Sequence, residues 1–295
     1  MPSKTPEILS DEQRVTFTSI PDDLSERDLA YHYTLTDADL AIINRHRRPH
    51  NRLGFAVQLC VLRFPGRTIA EVEIPERVMS YIASQLQVRT EVFEEYGRRE
   101  NTIFEHLDEI RQEFGYRNCG WHELRSLARA LMPTAMESER STPLVEAALE
   151  YLREQKIIAP GITSVERLVW AVQRQAEKRV HRLLTQPLTR DQKALLDGLL
   201  RNESGKGGKT KLAWLREPTD QASAKSLRKL LDRIEYLRRL WLPEITQRLH
   251  RTRVLQLARK GSRYQAQPLS KLKPEQRYSL LLAYLSELSQ DLEVR

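Results

Sequence analysis

The chain has 295 residues, 40% hydrophobic and 30% charged, with 48 Lys and Arg against 40 Asp and Glu and a net charge of +8. That balance suits a folded helical protein rather than a disordered tail, and no run reaches the roughly 18 consecutive apolar residues of a membrane span. The two cysteines, Cys60 and Cys119, lie in no CxxC pair and no Cys/His cluster at zinc spacing, so neither a disulfide framework nor a structural zinc is expected.

The opening stretch MPSKTPEILSDEQR has no apolar signal core, and a reducing cytoplasm is the expected compartment. Only 11 glycines occur, and apolar residues recur at steps of three and four almost everywhere. An all-α fold follows from that periodicity. Charge is segregated along the chain. Residues 1–35 hold 3 basic and 7 acidic side chains, 36–67 hold 6 and 2, and 71–113 hold 5 and 11. Further on, 165–216 hold 12 and 5, and 225–263 hold 12 and 3. Three basic blocks separated by an acidic one argue for a nucleic-acid face more strongly than the modest total does.

In chain order, the first informative segment is 36–66. Thr36 is placed to cap a helix with Asp37 and Asp39 in its first turn and Leu40 and Ile43 on its apolar side. Pro49 should stop that helix near Arg47. Asn51 should cap a second one, with Leu53, Ala56, Val57 and Cys60 facing inward and Phe64-Pro65-Gly66 ending it. Two short helices around a basic turn have the layout of a helix-turn-helix. In that layout Arg45, Arg47, Arg48, His50, Asn51 and Arg52 face DNA, with Gln58 two turns on. Arg reads guanine, and Asn or Gln reads adenine, through paired hydrogen bonds. The competing reading is a helical hairpin with a solvated arginine turn. In the acidic stretch, Leu107, Ile110 and Phe114 have core spacing, while Glu105, Asp108, Glu109 and Glu113 would repel phosphate. This helix should therefore support the first module from the side away from DNA.

A helix ending near Leu131 is expected to run into a linker at 132–143. A second helix-turn-helix candidate covers 141–184, with Pro143 in the first turn of one helix and a Pro160-Gly161 turn. Thr163 or Ser164 should cap a longer helix that displays Arg167, Arg174, Lys178, Arg179 and Arg182. The stretch 202–210 reads as a flexible loop. It is no Walker A loop, because Glu203 stands where the first glycine is needed. Lys206, Lys209 and Lys211 are candidates for the phosphate backbone instead. Leu227, Leu230, Leu231, Ile234, Leu237 and Leu240 form a helical stripe suited to core or partner packing, and a third break falls at 261–274.

Catalytic patterns fare poorly. His46 and His50 are separated by a helix-breaking proline and lack the HExxH glutamate, so no metal is expected there. Asp22-Asp23 and Glu94-Glu95 are adjacent pairs without an acid–base signature, and His122 near Cys119 reads as helix entry and packing.

The run RHRRPHNRLGFAVQLCVLRFPG, preceded by LSERDLAYHYTLTDADL, resembles the N-terminal region of the Tn-three family of bacterial transposases, the large enzymes of class II replicative transposons. Similar blocks follow in order at 98–117, 152–169 and 210–240, so the resemblance covers nearly the whole chain. It implies helical domains that recognise the double-stranded terminal inverted repeats of a transposon. Family members are far longer, and their catalytic carboxylates sit in a later RNase H-like domain. The resemblance therefore implies an N-terminal fragment or truncated copy, not an enzyme by itself and without a cofactor of its own. The expected organisation is a DNA-binding module at 1–132, a second basic module at 141–260, and the start of a connection at 261–295. Whether two copies of the full-length protein pair is left open by the residues. A helical scaffold or dimerisation module with a basic surface is the alternative from another class.

Overall fold

Side chains that close the first turns decide where the early helices begin. Ser10, Ser25 and Thr36 accept from the backbone N–H three residues on, and Gln13, Asp28 and Asp39 return the bond. They start α1 (Asp11–Thr18), α2 (Glu26–Tyr33) and α3 (Asp37–Ile43) in a computed structural model that describes residues 7–98, 100–202, 208–218, 224–245 and 247–294. α3 ends at Ile43 rather than near Arg47, because the N–H groups of Arg45 and His46 tighten onto the carbonyls of Ile42 and Ile43 at 3.0 and 3.2 Å.

α4 (Pro49–Arg63) begins two residues before the expected cap. Pro49 takes the first helical position, where its fixed φ and missing donor cost nothing, and Arg48 is the N-cap without a side-chain bond. Every residue from Leu53 to Leu62 is buried. α4 is thus the centre of the first core, where Tyr33, Ile43, Phe55, Leu59, Ile82 and Ile110 meet. α5 (Glu76–Gln85), a 3-10 turn at Thr90–Glu95 and α6 (Glu100–Phe114) pack around it. Gly54 admits one of these neighbours: a Cβ there would lie 2.2 Å from the Tyr96 ring. Asp39, 2% exposed, accepts a bidentate fork from Arg63 at 2.6 and 2.8 Å and ties the start of α3 to the end of α4. Burial opposes its charge, yet the Arg63 fork and the Thr36 N–H hold its carboxyl below the ordinary range.

Two short strands, β1 (Arg117–Asn118) and β2 (Ile157–Ile158), pair in parallel with Arg117 opposite Ile157. Around them run α7 (Trp121–Glu137), α8 (Ser141–Glu154) and α9 (Ile162–Thr185). The first compact unit comprises Met1–Leu131 and Arg140–Ala171. α1 is fastened within it by Arg14, whose guanidinium donates to the buried Glu166 at 3.2–3.3 Å.

The second unit comprises Met132–Glu139 and Val172–Arg295. Beyond α9 it holds α10 (Arg190–Gly198), α11 (Lys211–Leu215), α12 (Ala224–Arg239), α13 (Arg251–Arg263), α14 (Ala266–Ser270) and α15 (Pro274–Val294). Its core gathers Val180, Leu184, Leu196, Leu212, Leu257 and Leu281. α13 and α15 approach so closely that a Cβ on Gly261 would stand 2.6 Å from the Leu280 carbonyl oxygen.

The all-α expectation holds among the described residues, which form fifteen α-helices, the 3-10 turn and the two strands. The units do not follow the boundaries expected at 132, 141 and 260. Residues 140–171 pack with the first unit, and α13 runs through position 260. The expected linker at 132–143 is mostly helix, since α7 continues through Pro133 to Glu137 and α8 starts at Ser141. Leu131 and Ala135, each 2% exposed, flank that proline, and their burial outweighs the lost hydrogen bond. The long helix starts at Ile162, so Thr163 and Ser164 lie inside it rather than capping it. In α12, Leu237 and Leu240 are buried as the stripe predicts, but Leu227 and Leu231 are 59% and 56% exposed. No helix of the described residues is long and apolar enough to cross a membrane.

Candidate nucleic-acid interface

The turn between α3 and α4 is built against the acidic helix that follows it in sequence. Arg45 donates to Glu113 at 2.6 Å, His46 Nε2 lies 3.5 Å from Glu109, and His50 Nδ1 lies 3.2 Å from Glu95. The acidic block therefore meets the basic turn directly and neutralises part of it. Arg52 is half-buried and reaches the Asn44 carboxamide at 3.4 Å. Arg47 and Arg48 are exposed and have no such partner among the described residues. Arg48, His50, Asn51 and Thr102 line a polar depression of about 400 Å³ together with Glu95 and Arg98. Arg98 was not singled out from sequence, because it belongs to a block that is acidic on average.

Gln58 does not belong to this surface. It is 3% exposed, and its amide donates to the Tyr96 hydroxyl at 2.5 Å and to the Ile103 carbonyl at 3.1 Å. The expectation that it reads a base is corrected by α4 being buried on all sides: a polar residue there must find partners inside. Only the first turn of α4 can approach a ligand, end-on, where the helix dipole favours an anion. Tyr96 in turn lies 2.9 Å from His106 Nδ1. Both Gln58 N–H bonds are committed, which leaves the Tyr96 hydroxyl proton for His106. Burial first, and the neighbouring His46 second, push the His106 pKa down to about 4.

α9 carries the clearest face. Arg167, Arg174, Lys178, Arg179 and Arg182 are all exposed. Of the acidic residues of this helix, Glu166 is buried against Arg14, whereas Glu177 keeps a 41% exposed side chain 3.7 Å from His181 Nε2, and the nearby histidine, more than any other group, holds its carboxyl below the ordinary range. In the part belonging to the second unit, the solvent side of the helix presents Arg174, Lys178, Arg179 and Arg182, with the 41% exposed side chain of Glu177 as the one carboxylate beside them. Arg167 stands in the part belonging to the first unit and the other four in the part belonging to the second, where Arg174 to Arg182 spans about 12 Å.

The lysine cluster is less open than the sequence suggests. Lys209 pairs with Glu217 at 2.9 Å, and Lys211 stands over the Trp214 and Tyr236 rings at 5.3 and 5.7 Å. Lys206 lies outside the described residues. One arrangement missed from sequence looks catalytic and is not. The Ser279 hydroxyl is 2.5 Å from His181 Nδ1, with Glu177 3.7 Å from Nε2. Ser279 is fully buried, and its hydroxyl lies within reach of both the imidazole and the Gln276 carbonyl at 2.9 Å, so it bridges inside the core where no substrate meets it. Among the described residues no group of three His, Cys, Asp or Glu side chains is placed to hold a metal.

Residues 8–172 match a family described as a domain of unknown function, DUF4158. The chain is similar to the transposase for transposon Tn1546 from Enterococcus faecium, 39% identical over 97% of this chain and 29% of that protein. It is also similar to the transposase for transposon Tn21 from Escherichia coli, 37% identical over 95% of this chain and 28% of that one. The transposase for transposon Tn501 from Pseudomonas aeruginosa is 35% identical, again over 95% and 28%. The chain thus spans less than a third of the length of these relatives. With 35–39% identity along nearly all of it and the DUF4158 match over more than half, the chain belongs to the Tn-three family of transposases and corresponds to their N-terminal region.

Proposed function

We propose that this chain binds double-stranded DNA, specifically the terminal inverted repeats of a transposon, and thereby places the rest of a longer transposase on the transposon end. The observation that carries this reading is the solvent side of α9 in the second unit, where the exposed Arg174, Lys178, Arg179 and Arg182 outnumber the single carboxylate of Glu177. Such a face gains from releasing counterions along a phosphate backbone, whereas a solvated scaffold helix would carry the two signs in comparable number. In this reading α9 supplies backbone contacts. Arg47 and Arg48, with Asn51 beside them, supply base contacts at the first turn of α4. Arg45 and His50 hold that turn against α6 and the segment before it, and Arg52 braces it from within through Asn44. Strand cleavage and joining belong to the part of the longer protein that this chain does not span, and the chain itself needs no cofactor. Its place of action is the bacterial nucleoid, and pairing of two full-length copies would bring two ends together.

The test is fluorescence anisotropy with the transposon's own end and a scrambled duplex of equal length, over a salt series. Substituting Arg174, Lys178, Arg179 and Arg182 together by Ala should lower the salt slope by about 0.9 for each phosphate no longer neutralised. Substituting Arg47 and Arg48 should instead reduce discrimination between the two duplexes, by about 1–3 kcal/mol for each base that is no longer read. An unchanged slope in the first variant and unchanged discrimination in the second would sink the reading.

A further inference from the structure

Trp241 follows the end of α12, where two preferences of a folded chain are broken by one residue. Its φ is +46°, in the left-handed region that strains a bulky side chain. Glycine or asparagine is the usual occupant of that position after a helix. The Trp241 N–H donates to the Arg238 carbonyl at 3.2 Å, closing the last turn of α12. Its side chain nevertheless stands in water, with the residue 83% exposed. Packing gives no return for an indole here, and a glycine would relieve the backbone without uncovering anything. A residue kept against both preferences is better explained by what it touches in a complex.

The surroundings are built. The Trp241 carbonyl accepts from the Gln192 amide at 2.5 Å, and the Gln192 carboxamide oxygen in turn accepts from the Thr189 N–H at 3.0 Å at the start of α10. Beside the indole opens a cleft of about 370 Å³ walled by Leu237, Leu242, Leu282 and Leu285, with Arg238 and Glu244 also in its lining. Arg239, exposed two positions before the indole, pairs with Glu235 at 2.6 Å, so the cation beside the cleft itself is Arg238. An exposed aromatic face beside an apolar cleft with an arginine in its lining matches the stacking platforms that hold nucleic-acid bases. In an intact duplex both faces of each base are covered by its neighbours, so an indole reaches a base only where that base is unstacked.

We propose that Trp241 stacks on an unpaired base of bound DNA, an inference that rests on the DNA-binding reading above. The experiment uses the full 295-residue chain with a fully paired duplex of mixed sequence and the same duplex carrying one unpaired thymine. The unpaired base should tighten binding by about five- to a hundredfold, the usual range for one base stacked on an aromatic side chain. Trp241→Gly should abolish that preference, bind the paired duplex as before and unfold at no lower temperature, because glycine suits the left-handed position. Trp241→Phe should retain most of the preference. A Trp241→Gly protein that still prefers the unpaired base overturns the proposal. So does a wild-type chain that binds both duplexes equally, which would leave the DNA-binding reading standing. Binding to neither duplex fells both. Wild-type dimers in sedimentation that Trp241→Gly dissociates would assign the indole to a second copy instead, and would equally overturn the proposal.

Discussion

Acid should loosen the first unit at the α3–α4 turn well before its carboxylates titrate. His106 is 5% exposed and is held neutral by burial and by His46, with a pKa of about 4 in the folded chain. Unfolded, a histidine titrates near 6.5, so between these values the unfolded chain binds the proton that the folded one refuses. Stability is therefore complete above about pH 6.5 and falls as the pH drops toward 4. From pH 7 to pH 5 the linkage amounts to about 2 kcal/mol, and it saturates at about 3 kcal/mol below pH 4. The hydrogen-bond chain supplies the mechanism. A proton on His106 Nδ1 would face the hydroxyl hydrogen of Tyr96, whose oxygen already accepts from Gln58. His46, displaced downward by its own burial, adds to the effect in the same direction. The assay is urea unfolding by far-ultraviolet circular dichroism at pH 7, 6 and 5, comparing wild type with His106→Gln. The wild type should lose most of the stated free energy in its first-unit transition, and the variant should lose clearly less. Parallel pH dependences in the two proteins would refute the reasoning.

Gly261→Ala should destabilise the second unit by more than an ordinary overpacking substitution, at least about 3 kcal/mol, because the added methyl would meet the Leu280 backbone, which cannot rotate away; a thermal melt within a degree of wild type would contradict the close crossing of α13 and α15. Truncation after residue 140 should abolish cooperative unfolding of the first unit, since it removes β2, the buried Leu144, Val145, Leu149 and Leu152, and the Glu166 carboxylate that Arg14 holds. A piece ending there that melts sharply would show residues 140–171 to be dispensable.

What the sequence made legible was local. The hydroxyl at Thr36 with Asp39 three residues on, and Pro49 just inside the second helix, locate the α3–α4 turn because capping and proline geometry act within one turn of the chain. In α9 the 24-residue length lets the helical period separate faces cleanly, and all five cations expected outside are outside. The misplaced features depended on distant partners. Pro133 continues a helix because Leu131 and Ala135 are buried on either side of it, and Leu227 and Leu231 of an apparent core stripe are left in solvent. Neither outcome can be read from a window of neighbouring residues.

The same distinction governs the candidate surface. A block's net charge gives its sign but not which of its cations already have partners. Arg45 belongs to a basic block, yet its charge is met by Glu113, 68 residues away; His50 likewise faces Glu95. Gln58 is polar, and on a half-buried helix it would face solvent, but α4 is buried on all sides and turns it into an internal donor to Tyr96. After those subtractions the first module keeps Arg47 and Arg48, with Arg98 added from a block that looked acidic. The α9 face keeps its sign, because Glu166 is drawn inward to Arg14 and Glu177 alone stands among the remaining cations. Buried or paired cations cannot release counterions to a phosphate backbone, so this remainder, rather than the net charge of +8, should set the salt slope of any DNA complex.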